Sequence, residues 1–491
     1  MSPRVADLVV FCASAAVLVL EILASRLLAP FIGVTLETYT AVIGVVLAGI
    51  ALGAAWGGRL ADQRDPRRVI STMLAAGGAL ALLTLPLVLF LGPVLRGGGP
   101  LGVVVLAAVG FFPPAVALSA VPPAVAKLLL RDLHETGHVV GRLSAVGTAG
   151  ALVGTFVTGF VLVSALSTRQ TIAGIGLALV AGGLLARRGI ARAEPAEPGG
   201  DARTYAALGL VGALLTGVSH SPCIVESAYF CAEIWHDPDH PTRRLLVLDS
   251  LDHSEVDLAD PTHLGFHYTR WFAAAIDSRL PAGEPLRTLH IGGGGFTMPR
   301  YLAATRPGSF NEVLEIDPAL VRLNKAQLGL RTGPDLTVRV GDARTTLTTL
   351  GDGTFDVVIG DAFGGLAVPW HLTTREFAMQ IRAKLAPGGL YLVNVIDGAP
   401  YRFARAEAET VRQVFRHVGL VTTAERLRGV GGNFVLLASD APLPMGRVEE
   451  LLAGEDDVVQ LDVQPLADWS RGAMVLTDDH APVDQLLNFR R

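Results

Sequence analysis

Long apolar runs alternate with short polar connectors over the N-terminal part of the chain. From Ala6 to Ala186 the runs consist mainly of Leu, Val, Ala and Gly, and the charged residues lie in the connectors. A helix that crosses the hydrocarbon core of a bilayer needs about 20 apolar residues. Six segments reach that length, near residues 6–29, 38–58, 69–95, 100–129, 138–166 and 169–187. The pattern therefore predicts a multipass α-helical membrane domain.

A connector rich in Pro, Gly and alternating charge follows these runs and is typical of an exposed linker. We expect the membrane domain at residues 1–190, and a linker with a possible short seventh span at 191–220. A strand and helix element follows at 221–285, and a second folded domain at 286–491. The apolar stretch Tyr205 to Val218 is marginal in length: it fits a short span, a re-entrant piece or an interfacial helix.

The pattern of the C-terminal part is that of a doubly wound α/β domain. Apolar runs of strand length alternate with helix-like segments, and five such runs are "TLHIGGGG", "FNEVLEID", "LTVRVGDA", "FDVVIGDAF" and "GGLYLVNVID". This alternation predicts a parallel, Rossmann-like sheet of the type that class I methyltransferases also use. Ligands of such sheets bind at the carboxyl ends of the strands.

Glycines follow the first of these strands, and an acidic residue ends each of the next three. Gly292, Gly293 and Gly294 allow a sharp turn and a close approach of the backbone to a ligand. A carboxylate about 20 residues further on, here Glu315, can accept hydrogen bonds from both ribose hydroxyls.

The two remaining strand-end acids are Asp342, in "VRVGDA", and Asp361, in "FDVVIGDAF". A carboxylate at the position of Asp342 can accept a hydrogen bond from an adenine amino group, and Asp361 faces the same crevice. Together with the glycines, these acids predict an adenosyl-nucleoside site.

Composition narrows the classes of function. Only 17% of residues are charged and the mean hydropathy is +0.46, which agrees with an integral membrane protein. The formal net charge of -5 gives no support to a nucleic-acid partner. The histidines His263, His267 and His371 show no zinc spacing, so we expect no metal. Three cysteines do not make a disulfide framework, and we expect Cys223 and Cys231 to be free thiols, with a single bridge as the alternative.

The chain resembles the spermidine synthase (polyamine aminopropyltransferase) family, and more closely its membrane-fused bacterial branch with a transporter-like N-terminal module. The resemblance is carried by "IGGGG", "LEID", "GDA" and "GDAF", and by "LTDDHAPVDQL" near the C-terminus. It implies that the glycines, Glu315, Asp342 and Ala343 bind the adenosyl donor and that Asp361 is catalytic. It also implies a role in polyamine biosynthesis and a possible homodimer.

Two acidic positions of the family are lost. Gly295 stands where the family has an aspartate that holds the donor's amine, and Gly364 and Gly365 replace a carboxylate and proline that hold the amine acceptor. A cationic diamine in a crevice needs carboxylates to replace its hydration. The acceptor therefore need not be putrescine.

Other positions of the acceptor pocket are only partly matched. The family's tyrosine-histidine-glutamate run aligns with Tyr268, Thr269 and Arg270, and Arg270 would repel a polyamine if it faced the site. His253 stands where the family has a glutamine that contacts the ligand, so His253 and Tyr268 are expected near the substrate. The acid-rich stretch at residues 249–260 could supply replacement carboxylates for the acceptor, although we interpret most of its acids as solvated, helix-capping residues. His290, among apolar neighbours, is expected to be a hydrogen-bonded core residue.

The membrane half contains ionisable residues, and the placement of its basic residues predicts how the chain is oriented in the membrane. Glu21 and Arg26 lie at or near membrane depth, where they form either a polar binding site or a structural pair. The arginine-rich connectors at 59–68 and 187–192 should be cytoplasmic. Six spans place the C-terminal domain in the cytoplasm, and a seventh would place it outside, where a disulfide is allowed. We expect the cytoplasmic placement because an adenosyl ligand is intracellular.

These observations predict a cell-membrane enzyme that takes S-adenosylmethionine or its decarboxylated form as co-substrate and releases methylthioadenosine. The second substrate is a small amine, or is absent if a nucleophile within the donor reacts in a lyase or cyclising reaction. Methyl transfer on the same sheet is one alternative. A sensor or transporter that binds an adenosyl metabolite without turning it over is the other.

Overall fold

The computed structural model of the protein describes residues 1–491 apart from 34–35, 97–98, 131, 133–135, 192–201, 220, 366, 456 and 489–491. The side chains of 188–191 and 202–206 are likewise outside the description, so most of the expected linker is not covered. The chain divides into two compact units, Met1–Cys231 and Ala232–Arg491.

The first unit consists almost wholly of apolar helices. They are α1 (Pro3–Ile32), α2 (Leu36–Gln63), α3 (Pro66–Leu95), α4 (Gly99–Ser119), α5 (Val121–Leu129), α6 (Thr136–Val157), α7 (Val163–Ala165), α8 (Thr168–Ala191) and α9 (Ala202–Val218). A π-helical turn, Thr158–Leu162, joins α6 to α7. Taking α4 with α5 and α6 with α7, the described residues contain six helical segments long and apolar enough to cross a membrane. The predicted membrane fold is confirmed.

Small residues let these helices pack closely. A Cβ atom at Gly57 of α2 would lie 2.5 Å from the Cα of Ala120, and one at Gly183 of α8 would lie 2.6 Å from the carbonyl oxygen of Ser71. Both distances are too short for a side chain, so these glycines are required by the helix contacts. This use of glycine is typical of helices packed in a bilayer, where close backbone approach replaces the hydrophobic effect.

The second unit begins with short antiparallel strands. After β1 (Val225–Glu226), which belongs to the first unit, come β2 (Cys231–His236), β3 (Arg243–Leu248) and β4 (Leu251–Asp257). Strands β2 and β3 pair antiparallel, as do β3 and β4, with a bulge between Leu246 and Val247.

The rest of the second unit is a sheet of eight strands with helices between them. Its strands are β5 (Arg287–Ile291), β6 (Phe310–Glu315), β7 (Leu336–Val340), β8 (Phe355–Gly360), β9 (Leu385–Asp397), β10 (His417–Thr423), β11 (Gly432–Ser439) and β12 (Val458–Leu461). The helices are α10 (His267–Arg279), α11 (Thr297–Thr305), α12 (Pro318–Gln327), α13 (Ala343–Leu347), α14 (Arg375–Lys384), α15 (Arg402–Arg412), α16 (Met445–Leu451), α17 (Val463–Ser470) and α18 (Val483–Leu486).

The strand order of this sheet is β12-β10-β11-β9-β8-β5-β6-β7. The five strands predicted from the sequence, β5 to β9, are parallel neighbours. Strands β10, β11 and β12 extend the sheet in antiparallel fashion beyond β9, which the sequence analysis did not predict. The doubly wound, Rossmann-like fold is confirmed, and it brings the ends of β5, β6 and β8 side by side.

Candidate active site

The glycine turn after β5 has a backbone that only glycine can supply. Gly292 has a φ of +94°, and a Cβ there would lie 2.5 Å from the carbonyl oxygen of Asp361. Gly294 has a φ of +51°, and its Cβ would lie 2.8 Å from Ser254 Oγ. Positive φ and the absence of space both exclude larger residues. The glycines therefore let the backbone of the turn pack directly against Asp361 and Ser254.

Glu315 ends β6 and is held against this turn. Its Oε2 accepts a hydrogen bond from the backbone N–H of Gly293 at 2.8 Å, and its Oε1 accepts one from that of Asp317 at 2.8 Å. Burial raises the pKa of Glu315, and the backbone N–H donors partly offset that rise. The N–H of Gly294 is a further backbone donor to this carboxylate. A carboxylate offers about four lone-pair sites, so the group can still accept a hydrogen bond from a ligand hydroxyl.

Asp342 follows β7 and is the N-cap of α13. Its Oδ1 accepts from the backbone N–H of Thr345 at 2.9 Å, and its Oδ2 lies 2.8 Å from His371 Nε2. Burial acts to raise its pKa, but these hydrogen bonds outweigh burial and the pKa is lowered. Asp342 is therefore a carboxylate at neutral pH.

The C-terminal stretch "LTDDHAPVDQL" contacts α13, the helix that Asp342 caps. The guanidinium of Arg344 makes a bidentate contact with Asp478, at 2.7 Å to Oδ1 and 2.5 Å to Oδ2. Arg344 follows Ala343, which is buried at the start of α13. The C-terminal stretch therefore holds the helix that begins after Asp342.

Asp361 follows β8 and is enclosed by two hydrogen-bond donors. Its Oδ2 accepts from the hydroxyl of Tyr268 at 3.0 Å, and its Oδ1 accepts from Asn394 Nδ2 at 2.9 Å. Burial raises the pKa of Asp361 to about 6, although both donors favour the charged form. A carboxylate with a pKa near 6 is largely ionised at neutral pH and is a better proton acceptor than an ordinary aspartate.

His253 and Ser254, on β4, lie over the glycine turn. Ser254 Oγ accepts a hydrogen bond from the N–H of Gly295 at 2.9 Å. His253 is partly buried, loss of hydration lowers its pKa to about 4, and its Nδ1 has no hydrogen-bond partner among the described residues. The imidazole is therefore neutral at pH 7 and has a free ring nitrogen near Gly294.

The position of Gly295 is closed to the aspartate that the family carries there. A Cβ at Gly295 would lie 2.7 Å from Ser254 Cβ and 3.3 Å from Val256 Cγ1. Both neighbours belong to strand β4, so they cannot move independently of the strand. Ser254 thus fills the space into which the amine-holding carboxylate would project.

A cavity brings together the glycine turn, His253, Tyr268 and Asp361, whereas Glu315 and Asp342 are not part of its lining. Its lining includes His253, Tyr268, Gly292, Gly293, Gly294, Thr297, Met298 and Asp361. His290 also lines it, but its Nε2 lies 2.9 Å from the hydroxyl of Thr288 and burial lowers its pKa to about 4, in keeping with the predicted hydrogen-bonded core residue.

Arg270 does not face the cavity. Its guanidinium lies 2.7 Å from Glu455 and is not part of the cavity lining, so the condition for repelling a polyamine is not met. The loop that contains Gly364 closes on itself, with the N–H of Gly364 donating to the carbonyl of Ala367 at 2.8 Å. Gly364 thus lies in a closed loop, at the position where the resemblance led us to look for a carboxylate.

The acidic side chains at 249–260 mostly accept hydrogen bonds from nearby backbone N–H groups. Asp257 accepts from the N–H of Ala259 at 2.9 Å, and Asp260 accepts from that of Thr262 at 2.9 Å. Glu255 lies 2.7 Å from His263. Among the described residues, no group of three or more His, Cys, Asp or Glu side chains could hold a metal ion.

Two site residues were missed from the sequence. Asn394 lies in the middle of β9, and Ser254 lies on β4. A polar residue within the apolar run "GGLYLVNVID" was the available signal for Asn394. No local pattern pointed to Ser254, since its contact with Gly295 joins segments 41 residues apart.

In the membrane unit, Arg26 pairs with Glu226, at 3.3 Å. Glu21 lies on the same helix and is partly buried. The expectation of two free thiols was wrong: Cys223 and Cys231 form a disulfide. They are close in sequence and flank the short strand β1. The turn after β1 reverses the chain and brings them together.

The geometry of the site defines a class of protein. A doubly wound sheet with a glycine turn and carboxylates at its strand ends is the framework of Rossmann-like transferases.

The polyamine aminopropyltransferase of Vibrio vulnificus is 28% identical over 237 residues, which are 45% of this chain and 75% of that protein. The polyamine aminopropyltransferase of Chromobacterium violaceum is 27% identical over 145 residues, 30% of this chain and 54% of that protein.

A probable spermidine synthase from Corynebacterium glutamicum, known from its crystal structure, is 30% identical; the match covers 52% of this chain and 95% of that one, with a TM-score of 0.49. No protein-family profile matches the chain. The chain belongs to the spermidine synthase, or polyamine aminopropyltransferase, family. It is a transferase related to enzymes that use S-adenosylmethionine.

Proposed function

We propose that the protein is a membrane-bound enzyme that cleaves S-adenosylmethionine, or its decarboxylated form, on the propyl side of the sulfonium and releases methylthioadenosine. The observation that carries the proposal is Asp361. This partly buried carboxylate has a pKa of about 6, is held by Tyr268 and Asn394, and lies at the strand end beside the glycine turn. Such a group is suited to accept a proton at neutral pH.

The residues that would hold the nucleoside fit that ligand. The turn at Gly292 and Gly294 leaves a backbone surface without side chains, and the carboxylate of Glu315, held by backbone N–H donors, can still accept a hydrogen bond from a ribose hydroxyl. Asp342 is ionised at the next strand end, where an adenine amino group would donate to it. These features support binding of an adenosyl donor, with the sulfonium directed toward Asp361.

The reaction requires only these groups and a nucleophile. The lone pair of an amine attacks the carbon next to the sulfonium, and the electrons of the broken carbon–sulfur bond pass to sulfur. Neutral methylthioadenosine leaves, and the amine proton passes to Asp361. Orientation of the two reactants and a positioned base are the means by which this site would lower the barrier.

The acceptor differs from that of a typical diamine-using enzyme. The place of one amine-holding carboxylate is filled by Ser254, and the other is a backbone turn at Gly364. His253, neutral and with a free Nδ1, is the polar group that remains over the turn. We infer that the nucleophile is a small amine carrying one positive charge at most, or a group within the donor itself.

Product analysis tests the proposal. The purified protein is incubated with S-adenosylmethionine or with its decarboxylated form, with and without a panel of amines, and nucleosides are identified by mass spectrometry. Methylthioadenosine is expected, and its dependence on an added amine distinguishes transfer from lyase chemistry. Adenosylhomocysteine as the sole product would contradict the proposal and indicate methyl transfer. Binding of the nucleoside with no product would indicate a sensor.

A further inference from the structure

Helix α9 and the segment after it bear on which side of the membrane the second unit lies. We propose that α9 is a seventh membrane span and that the second unit, Ala232–Arg491, is on the extracytoplasmic side. The contacts that support this placement all lie within the first unit, and none of them depends on the proposed chemistry. It reverses the cytoplasmic placement that the sequence favoured.

Helix α9 lies antiparallel beside α8, one of the six candidate spans. Gly209 of α9 approaches Val180 of α8, since a Cβ at Gly209 would lie 3.1 Å from Val180 Cγ1. Further along α9, the guanidinium of Arg169, at the start of α8, donates to the carbonyl of Gly217. Helix α9 therefore ends beside the beginning of α8 and crosses the bundle in the opposite direction.

The length of α9 is close to that of a span. Its 17 residues extend over about 25 Å at 1.5 Å per residue, against about 30 Å for a hydrocarbon core. A bilayer accommodates a deficit of this size by local thinning at modest cost. The helix also docks within the bundle, because Thr216 Oγ1 donates to the carbonyl of Leu82 on α3 at 2.6 Å.

The outer face of α9 is apolar and uncovered. Leu210, Leu214 and Val218 are 62%, 58% and 67% exposed. An interfacial helix would present charged or polar side chains to water on one face. Between Leu208 and Val218 the sequence has no charged residue, so this face suits lipid.

The chain after α9 stays at the end of the bundle where α9 finishes. Glu226 lies 3.3 Å from Arg26, near the end of α1, and accepts a hydrogen bond from the N–H of Thr168, at the start of α8. The carbonyls of Ser227 and Ala228 also accept from Arg26. The second unit begins at Ala232, directly after this anchored segment.

The opposite end of the bundle carries the arginine-rich connector. Arg59 and Arg64 lie at the end of α2, and Lys127, at the end of α5, pairs with Asp62 at 2.7 Å. Because basic connectors remain in the cytoplasm, this end is cytoplasmic and the end at Glu226 is not. The disulfide between Cys223 and Cys231 agrees, since disulfides persist in oxidising compartments and are rare in the cytosol.

One consequence concerns the substrates of the site described above. If the second unit faces outward, its adenosyl donor and acceptor reach the cavity from the extracytoplasmic solution or are delivered through the membrane unit. Under the proposed function, the enzyme would thus act on material outside the cytoplasm. This consequence rests on the proposed function, whereas the sidedness does not.

Cysteine labelling of the full chain tests the sidedness. In a Cys12→Ser background, single reporters are introduced at exposed positions: Ala326→Cys in the second unit, Arg64→Cys at the basic end and Ala165→Cys at the other end of the bundle. A membrane-impermeant maleimide is applied to spheroplasts and, separately, to inside-out vesicles. The native pair serves as a second readout, through labelling with and without prior reduction.

We expect the Ala326→Cys variant to be labelled in spheroplasts, as Ala165→Cys is, and Arg64→Cys to be labelled in inside-out vesicles. Cys223 and Cys231 should react only after reduction. Labelling of Ala326→Cys in inside-out vesicles, together with Arg64→Cys, would overturn the proposal. Because labelling does not require turnover, this result would leave the proposed reaction untouched, and an inactive protein would not affect the labelling.

Discussion

The hydroxyl of Tyr268 lowers the pKa of the carboxylate that we propose as the base, so removing it should shift the pH dependence of the reaction. In the Tyr268→Phe variant, Asp361 loses the donor at 3.0 Å and keeps Asn394 at 2.9 Å. The ring still packs edge-on against Phe272, with a centroid separation of 5.7 Å, so the change is confined to one hydrogen bond.

The magnitude follows from the charge on the acceptor. A hydrogen bond to an ionised group contributes about 1.5–3 kcal/mol, and one pKa unit corresponds to about 1.4 kcal/mol. The donor stabilises the carboxylate, so its loss raises the pKa by about one to two units. From the starting value of about 6, the acid limb of the profile should move to about pH 7–8.

The assay is the pH profile of kcat/KM for methylthioadenosine release, measured from about pH 5 to pH 9 so that the whole limb is covered. Asp361 accepts a proton only when ionised, so the rate falls as pH falls through its pKa. Tyr301→Phe, which removes a hydroxyl on α11, serves as the control and should keep the wild-type midpoint. An unchanged midpoint in Tyr268→Phe, or one moved to lower pH, would refute the assignment of Asp361 as the base.

Three further predictions concern binding and stability. Glu315→Gln should weaken nucleoside binding about tenfold to a hundredfold, since a charged hydrogen bond contributes about 1.5–3 kcal/mol; calorimetry checks this, and unchanged affinity would exclude Glu315 from the site. Gly295→Asp should lower the free energy of unfolding by about 1–3 kcal/mol, because its side chain would be overpacked against Ser254. In thermal melts, adding Ser254→Gly should recover part of this loss. An unaltered Tm for the single variant would contradict the steric conflict with Ser254. Cys223→Ser should lower the free energy of unfolding by about 2–3 kcal/mol, as expected for a disulfide that closes a short loop. An equal Tm for reduced and oxidised wild type would contradict this.

The parallel part of the sheet and its strand-end acids could be predicted because both follow local patterns. Strand-length apolar runs separated by helices determine parallel order, and the residue after each run then lies at the ligand-binding edge. Glu315, Asp342 and Asp361 were found in this way. Strands β10 and β11 follow each other without an α-helix between them, whereas α15 precedes β10 and α16 separates β11 from β12. The alternation of strands and helices therefore did not reveal that these strands run antiparallel.

The remaining features depend on contacts between distant segments. Asn394 reaches Asp361 across neighbouring strands, and Ser254 reaches Gly295 from a separate antiparallel sheet. Helix α9 is too short for hydropathy alone to identify it as a span, and the pairing of Glu226 with Arg26 joins residues 200 positions apart. Such contacts leave no periodic signal in the sequence.

The measurement that tests the central claim most directly compares nucleoside binding and turnover in wild type and in Asp361→Asn. The amide has nearly the shape of the carboxylate but cannot accept the nucleophile's proton. We predict that the variant binds methylthioadenosine as the wild type does and releases none from the adenosyl donor. Turnover at the wild-type rate in the variant would contradict the account, and so would a wild type that binds the donor and never cleaves it.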